Sequence, residues 1–220
     1  GKPPTAGQMF SAPMQAKVLE EIAQKGRDGF YKGEVAEDMV SSLNALGGVH
    51  SLDDFSNVSC DYGDPISGNY GNFEMVEHPP NGQGATAICM NNIMNQFDVA
   101  SMDPFGIERT HIEAEATKLA YDARNRFIAD KSERLDYMLS MDTAKKLATL
   151  IDQNSTLKNP AKISEAVHKE TICLTVVDKD LMSVSMIYSI FHSFGSGLAS
   201  SKFGINFQNR GAGFTLEKGH

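Results

Sequence analysis

The sequence predicts an α+β fold in which helices dominate up to about residue 169 and antiparallel strands follow. Apolar residues recur at helical spacing through most of the first two thirds, and capping residues precede several of these segments. The last fifty residues are instead rich in β-branched and aromatic side chains. Of the 220 residues, 41% are hydrophobic and 22% charged, which is typical of a globular protein with its own core.

The first segments predict helices. One is expected to start at Pro13 and to stop at Gly26, because apolar residues between them fall on one stripe. A second is predicted over residues 34–46, before Gly47-Gly48. Ser51 is expected to be an N-cap, since two aspartates follow it in the first turn, where the helix dipole favours negative charge.

The middle of the chain predicts a short hairpin and then further helices. Residues 58–62 and 72–78 are predicted as strands, with turns at 63–65 and 68–69. The loop His78–Gly84 should enter a helix that runs to about Phe97. Its glycines could present N–H groups to an anion, although a tight connection is the more frequent meaning of such a loop.

Capping residues locate the later helices. Thr110 and Glu113 are spaced as a capping box and should open the helix with the strongest apolar pattern in the sequence. Asp142 is expected to cap the next one, and Asn159-Pro160 fits an N-cap followed by proline at the first helical position.

The last fifty residues predict a β-hairpin and a third strand. Residues 171–177 and 183–191 should pair across a turn at 178–182. Gly195-Ser196-Gly197 is expected to turn the chain again, into a strand over 204–209.

Composition excludes several classes of function. The formal net charge is −8, and an acidic chain with no basic block repels phosphate backbones, so we expect no nucleic-acid partner. Three scattered cysteines and no metal-ligand spacing among the histidines argue against a disulfide framework or a metal site, and no cofactor is expected. No apolar run is long enough for a membrane span. The chain opens without Met, so the natural N-terminus is expected upstream and the compartment stays open.

Taken in order, these pieces resemble the γ-glutamyltranspeptidase family of N-terminal-nucleophile hydrolases, closer to its cephalosporin-acylase-like branch. The resemblance runs through Ile22–Gly33, Gly47-Gly48 with its following aspartates, the loop His78–Gly84 and the helix around Glu115. Its most specific block is Thr171–Asp180 with the later Phe194–Gly197 and Gly204–Gly211. The resemblance implies an αββα sandwich, of which this chain forms part.

The resemblance also implies that the precursor cleaves itself at the Glu170–Thr171 bond. Residues 1–170 would then be the end of the large subunit and residues 171–220 the start of the small one, paired after cleavage. Thr171 would be the nucleophile. A terminal Thr carries its own base, because an α-amino group titrates near ~7.7–8.0 and is partly neutral at physiological pH. Ser189 stands where the family has a threonine hydroxyl that orients the nucleophile.

The residues that would bind substrate depart from the glutathione-cleaving members. The resemblance places the substrate site at Asn209, Arg210 and Gly211. Where those members hold a γ-glutamyl group with Asn, Gln and Asp, this chain has Phe191, Arg210 and Gly213. A guanidinium is suited to a carboxylate, so Arg210 is expected to bind a carboxylate of the acyl donor.

The implied activity is hydrolysis of, or transfer from, a small γ-glutamyl or related acyl amide, with glutathione among the candidate donors. The family's precursors are more than twice as long, so we expect this chain to be a fragment without both flanks. The flanks would carry an arginine that binds the α-carboxylate, a Ser-Ser pair and the Gly-Gly oxyanion hole. The alternative is an unprocessed or truncated relative without catalysis, which serves as a binding or assembly module.

Overall fold

The computed structural model of the chain describes residues 3–158 and 172–216, which group into two compact units. One unit combines residues 3–60 with 172–216, and the other comprises residues 61–158. The predicted division at residue 171 concerns cleavage into subunits, so it stays a prediction. No helix within the described ranges is both long enough and apolar enough to cross a membrane.

The first unit begins with four helices, of which the sequence predicted the first and third to within one residue and the N-cap of the fourth, but not the second. They are α1 (Pro13–Lys25), α2 (Asp28–Tyr31), α3 (Gly33–Ala45) and α4 (Leu52–Ser56). Pro13 occupies the first turn of α1, and Gly26 ends it with a φ of 60°. Ser51 caps α4 as predicted: its hydroxyl accepts from the Asp54 amide at 3.3 Å, and the Asp54 carboxylate accepts from the Ser51 amide at 2.7 Å.

The core of this unit joins α1 and α3 to the chain that follows the C-terminal hairpin. Val18, Val35, Met39 and Phe203 are buried together. Asp38 on α3, with 9% of its surface exposed, fixes the same segment: one carboxylate oxygen accepts from the Lys202 amide at 2.9 Å and the other from the Phe203 amide at 3.0 Å. A buried carboxylate thus holds the backbone of residues 202–203 against α3.

The C-terminal hairpin is confirmed, with β3 (Ile172–Val177) and β4 (Ser183–Tyr188) antiparallel. The predicted extension of the second strand to residue 191 is wrong, because the strand ends at Tyr188 and Phe191 has a positive φ. Their register pairs Ile172 with Tyr188 at one end and Val177 with Ser183 at the other. Every residue of both strands is exposed, so neither face is covered by the described residues.

The strand predicted over 204–209 is wrong. Within the described residues this segment makes one isolated bridge, between Asn206 and Ala199. Its backbone instead bonds to the preceding turn: the Phe207 carbonyl accepts from the Ser196 amide at 2.8 Å and from the Ser196 hydroxyl at 3.0 Å.

The second unit packs four helices and a hairpin around one apolar core. Its helices are α5 (Gly84–Met94), α6 (Ile107–Phe127), α7 (Leu135–Leu139) and α8 (Met141–Ala148), and its hairpin is β1 (Ile66–Tyr70) with β2 (Phe73–Glu77). The small residues of α6 let α5 approach closely, and the core includes Ala85, Cys89, Ile93, Ala116, Leu119, Ala120 and Met138.

The strand predicted over 58–62 is wrong, because β1 lies at 66–70. The turn predicted at Gly68-Asn69 is part of that strand, and the hairpin turns at Gly71, whose φ is 57°. Gly68 serves packing instead: a Cβ added there would lie 2.4 Å from Cγ2 of Ile88 on α5. Its missing side chain lets the strand contact the helix.

The capping box predicted at Thr110 is also wrong. Helix α6 begins three residues earlier, at Ile107, and the Thr110 hydroxyl donates to the Gly106 carbonyl at 2.9 Å inside the first turn. Glu113 pairs with Arg109, one turn before it, at 2.8 Å. A favourable side-chain partner one turn back therefore allowed the helix to extend past the predicted cap.

The cap of α8 is Ser140 instead of the predicted Asp142. The Ser140 hydroxyl accepts from the Thr143 amide at 3.2 Å, while Asp142 lies in the first turn. The predicted cap at Asn159-Pro160 lies outside the described residues.

One buried charge stabilises the second unit. Glu115 on α6 is 1% exposed, and its carboxylate accepts from the Lys118 ammonium at 2.6 Å and from the Leu157 amide at 2.9 Å. Burial alone would raise the pKa of Glu115, but these two donors lower it below its usual value. Glu115 thereby attaches the chain at residue 157 to α6.

Candidate active site

The candidate site is built from the chain directly after β4 and the chain around Arg210. A tight turn brings the two together: the Gly195 amide donates to the His192 carbonyl at 2.8 Å. Gly195 has a φ of 57°, and a Cβ added to it would lie 2.3 Å from the Phe207 carbonyl oxygen. Only glycine allows this approach, which explains the glycine-rich turn that the sequence predicted.

Arg210 reaches across to the residue after β4. Its Nη2 donates to the Ser189 carbonyl oxygen at 3.2 Å, and its guanidinium carbon lies 5.3 Å from the centre of the Phe191 ring. Both distances fit a cation held by a carbonyl and an aromatic face. The structure thus brings together Ser189, Phe191 and Arg210, which the sequence analysis had singled out separately.

Phe191 has an unusual backbone conformation beside Ser189. Its φ is +81°, a region that bulky residues rarely occupy. Its amide donates to the Ser189 hydroxyl oxygen at 2.9 Å, which orients that oxygen. A Cβ added to Gly213 would lie 3.4 Å from Cζ of Phe191. The ring therefore lies against position 213, where the resemblance expected a carboxylate in the glutathione-cleaving members.

The Asn209 side chain binds His192 through both of its polar groups. Its Oδ1 accepts from the His192 amide at 3.1 Å, and its Nδ2 lies 2.7 Å from the ring Nδ1. Gly211 lies in a single 3₁₀ turn, Arg210–Gly213. The substrate-binding roles predicted for Asn209, Arg210 and Gly211 stay predictions.

Thr171 and Glu170, the predicted nucleophile and its neighbour at the scissile bond, lie outside the described residues. The described chain resumes at Ile172, the first residue of β3. Sequence reasoning missed His192, because it considered the histidines only for metal-ligand spacing. Its partner Asn209 is 17 residues away, and no sequence spacing signals a contact made through an irregular loop.

A cavity of about 810 Å³ lies within the first unit, beside the end of the hairpin. It is lined by α1 residues such as Val18 and Ile22 and, from the hairpin side, by Ile172, Tyr188 and Ile190. Among the described residues that line it, none is an Asp, Glu, Lys or Arg.

The loop before α5 and the metal-ligating residue types were also considered in the sequence as possible binding sites. At the start of α5, a Cβ added to Gly84 would lie 3.1 Å from a carboxylate oxygen of Glu77, so the chain's own anion lies near the predicted anion loop. Within residues 3–158 and 172–216, no three His, Cys, Asp or Glu side chains lie close enough together to hold a metal ion.

The chain is similar to known γ-glutamyltranspeptidases and glutathione hydrolases along its whole length. A γ-glutamyltranspeptidase family model matches residues 1–220. The glutathione hydrolase-like YwrD proenzyme of Bacillus subtilis is 33% identical over 223 residues, which cover 100% of this chain and 42% of that protein. The glutathione hydrolase proenzyme of Escherichia coli is 30% identical over 227 residues, which cover 100% of this chain and 39% of that protein.

The fold is shared with a solved structure. The crystal structure of Helicobacter pylori γ-glutamyltranspeptidase has a TM-score of 0.63 and 25% sequence identity, over 72% of this chain and 48% of that one. This likeness confirms the α+β class and the N-terminal-nucleophile hydrolase fold, of which the chain forms part. The chain spans 42% and 39% of the two curated relatives. Because the family model covers its whole length, the chain belongs to the γ-glutamyltranspeptidase family.

Proposed function

We propose that the whole protein hydrolyses, or transfers the acyl group of, γ-glutamyl or related acyl amides. Membership of the family supports this reaction class, because the two curated relatives are named as a glutathione hydrolase and a glutathione hydrolase-like protein. Both are also named proenzymes, which supports a precursor that is cut into two paired subunits.

The proposed nucleophile is Thr171, made N-terminal by cleavage of the Glu170–Thr171 bond. Its amine takes the proton of its own hydroxyl while the oxygen attacks the amide carbonyl of the donor. The C–N bond breaks, the leaving amine takes that proton, and an acyl ester on Thr171 remains. Water, or the amine of an acceptor, then attacks the ester and releases the product with the hydroxyl restored.

The observation that carries the proposal is the register of the C-terminal hairpin. Ile172 pairs with Tyr188, so Ser189, the residue after β4, lies at the end of the hairpin where β3 begins. We propose that Ser189, whose oxygen is oriented by the Phe191 amide, orients the Thr171 hydroxyl in that position.

The proposed donor carries an anionic group that Arg210 binds. Nη2 of Arg210 lies 3.2 Å from the Ser189 carbonyl oxygen, so a carboxylate bound to the guanidinium would lie beside Ser189, which we propose orients the nucleophile. Phe191 and Gly213 offer no carboxylate for a substrate ammonium. Arg210 therefore favours donors in which a carboxylate is required and an α-amino group is not. Glutathione stays a candidate donor.

Substitution of Thr171 tests the nucleophile. In the full-length protein, Thr171→Ala should leave the precursor as one chain and abolish hydrolysis of γ-glutamyl-p-nitroanilide and glutaryl-p-nitroanilide, followed by absorbance. Thr171→Ser keeps a hydroxyl and should still cleave, with a small subunit that begins at residue 171 by mass spectrometry. If the wild-type chain stays intact through long incubation and neither amide is cleaved, the protein is a non-catalytic module instead.

Substitution of Arg210 tests the donor. Arg210→Ala should lower kcat/KM for glutaryl-p-nitroanilide by about 10- to 100-fold, since a charged hydrogen bond is lost. Pentanoyl-p-nitroanilide is the matched control donor, because a methyl group replaces its carboxylate. Equal losses for both donors would show that Arg210 does not bind the carboxylate.

A further inference from the structure

We propose that His192 is a positioning residue of this site: held by Asn209 as the neutral ring with its proton on Nε2, it fixes where Phe191 and Arg210 lie. The proposal deepens the proposed function and rests on it, because its kinetic consequence runs through the carboxylate-binding role of Arg210. The tautomer itself follows from the geometry of two side chains.

The orientation of the Asn209 amide is set by a backbone group. The His192 amide can only donate, so the atom of Asn209 that lies 3.1 Å from it must be the acceptor Oδ1. The NH₂ group of Asn209 then faces the ring and lies 2.7 Å from Nδ1 of His192. Because NH₂ can only donate, Nδ1 must accept, and the proton of the neutral ring lies on Nε2.

The other ring nitrogen, Nε2, makes no hydrogen bond to the described residues that could orient the ring differently. Nε2 is enclosed by protein and has no hydrogen-bond partner among the described residues. The Asn209 side chain is therefore the polar group that sets the angle of the ring. Turning the Asn209 amide over would bring two donors together at the His192 amide, so the two contacts reinforce each other.

The two hydrogen bonds between Asn209 and His192 join the two segments that carry the site. His192 directly follows Phe191, and their rings stack with centres 4.7 Å apart and planes 27° apart. Asn209 directly precedes Arg210, and its own amide donates to the Ile190 carbonyl at 3.2 Å. One amide–imidazole pair thus sets the distance between the Phe191 ring and the Arg210 guanidinium, and so the place of the guanidinium beside Ser189.

The tautomer can be measured without any variant of altered activity. In the full-length protein labelled with ¹⁵N-histidine, two-bond and three-bond ¹H–¹⁵N correlations distinguish a protonated from an unprotonated ring nitrogen. We expect His192 to show an unprotonated Nδ1 and a protonated Nε2, with its signals identified by their loss in His192→Asn. A proton on Nδ1 would overturn the proposal.

A matched pair of variants tests the positioning role. In His192→Asn the side-chain oxygen can take the place of Nδ1 and accept from Asn209, whereas His192→Gln places its amide where Nε2 was and leaves Asn209 without an acceptor. With glutaryl-p-nitroanilide and the full-length enzyme, we expect His192→Gln to raise KM about tenfold with a smaller change in kcat. We expect His192→Asn to raise KM less, by about threefold, because it keeps an acceptor for Asn209 but loses the ring that stacks on Phe191. Equal KM values for the two variants would contradict the proposal.

A double-mutant cycle separates this inference from the proposed function. If His192 acts through Arg210, His192→Gln should raise KM no further once Arg210→Ala is present. Additive effects would show that His192 acts elsewhere. Failure of the proposed function has different signatures: γ-glutamyl- and glutaryl-p-nitroanilide are still cleaved after Thr171→Ala, or the wild type cleaves neither. In either case the tautomer of His192 still tests this inference.

Discussion

Removing the Asp38 carboxylate should release the chain that leads into the candidate site. Asp38→Ala leaves the Lys202 and Phe203 amides without their acceptor, in a place where Asp38 itself is only 9% exposed. The hydrogen bond of the Phe203 amide is buried and that of the Lys202 amide is partly buried. An unpaired buried amide costs about 1–3 kcal/mol and water can compensate part of the loss at Lys202, so we expect local stability to fall by about 3 kcal/mol. This corresponds to roughly 100-fold in the local opening equilibrium.

Hydrogen exchange measures this opening directly. In the full-length protein the Lys202 and Phe203 amides should exchange roughly 100-fold faster in Asp38→Ala. Asp28→Ala is the matched control, because the pKa of Asp28 is also lowered, by the Lys32 hydrogen bond, but its side chain is exposed. This variant should change the exchange of neither amide. A change below about threefold in Asp38→Ala would refute the reasoning.

Acid should reproduce the effect in the wild type. Burial would raise the pKa of Asp38, but hydrogen bonds from the Ser200 hydroxyl and from the Phe203 and Lys202 amides lower it. Because the pKa of Asp38 is lower in the folded state, its contribution to stability is complete above the unfolded-state pKa of ~3.9. This contribution is lost as the pH falls through the folded-state pKa. The difference between wild type and Asp38→Ala should therefore shrink as the pH falls through that range.

Three other predictions concern separate positions. Gly195→Ala should lower the free energy of unfolding by at least about 2 kcal/mol, because the new Cβ would lie 2.3 Å from the Phe207 carbonyl oxygen at a residue with positive φ. Tm and activity should fall together, and an unchanged Tm would contradict this. Glu115→Gln should make the free energy of unfolding in urea less dependent on pH in the acid range, since the stabilisation by ionised Glu115 is lost as the pH falls through its lowered folded-state pKa. Parallel curves of unfolding free energy against pH for variant and wild type would contradict this. Burial raises the pKa of the Cys89 thiol to about 11, so iodoacetamide near pH ~8 should modify the exposed Cys60 and leave Cys89 unmodified, as read by peptide mass spectrometry.

Local signals predicted the elements whose ends depend on local chemistry. Pro13, Gly26 and the Ser51 N-cap act within one helical turn, and the structure has all three as expected. The strand at 66–70 was missed because its glycine signalled a turn, whereas Gly68 serves a contact with Ile88 twenty residues later. Tertiary packing thus overrode a local preference.

The candidate site was predictable only in part, because some of its contacts depend on how an irregular loop folds. Family resemblance singled out Ser189, Phe191 and Arg210, and the structure brings them together. It could not reveal the pair formed by His192 and Asn209, because that contact depends on the angle at which an irregular turn returns the chain. Spacing along the sequence carries information about helices and strands but little about such loops.

The exposed C-terminal hairpin has a consequence for handling the polypeptide. Neither β3 nor β4 contains a charged residue or a proline, and each is a six-residue run of high strand propensity. Uncharged segments of this length are typical seeds of cross-β fibrils when their edges are accessible. A preparation limited to these 220 residues should therefore form insoluble deposits through this hairpin, and a lysine placed at an edge position should keep it dispersed.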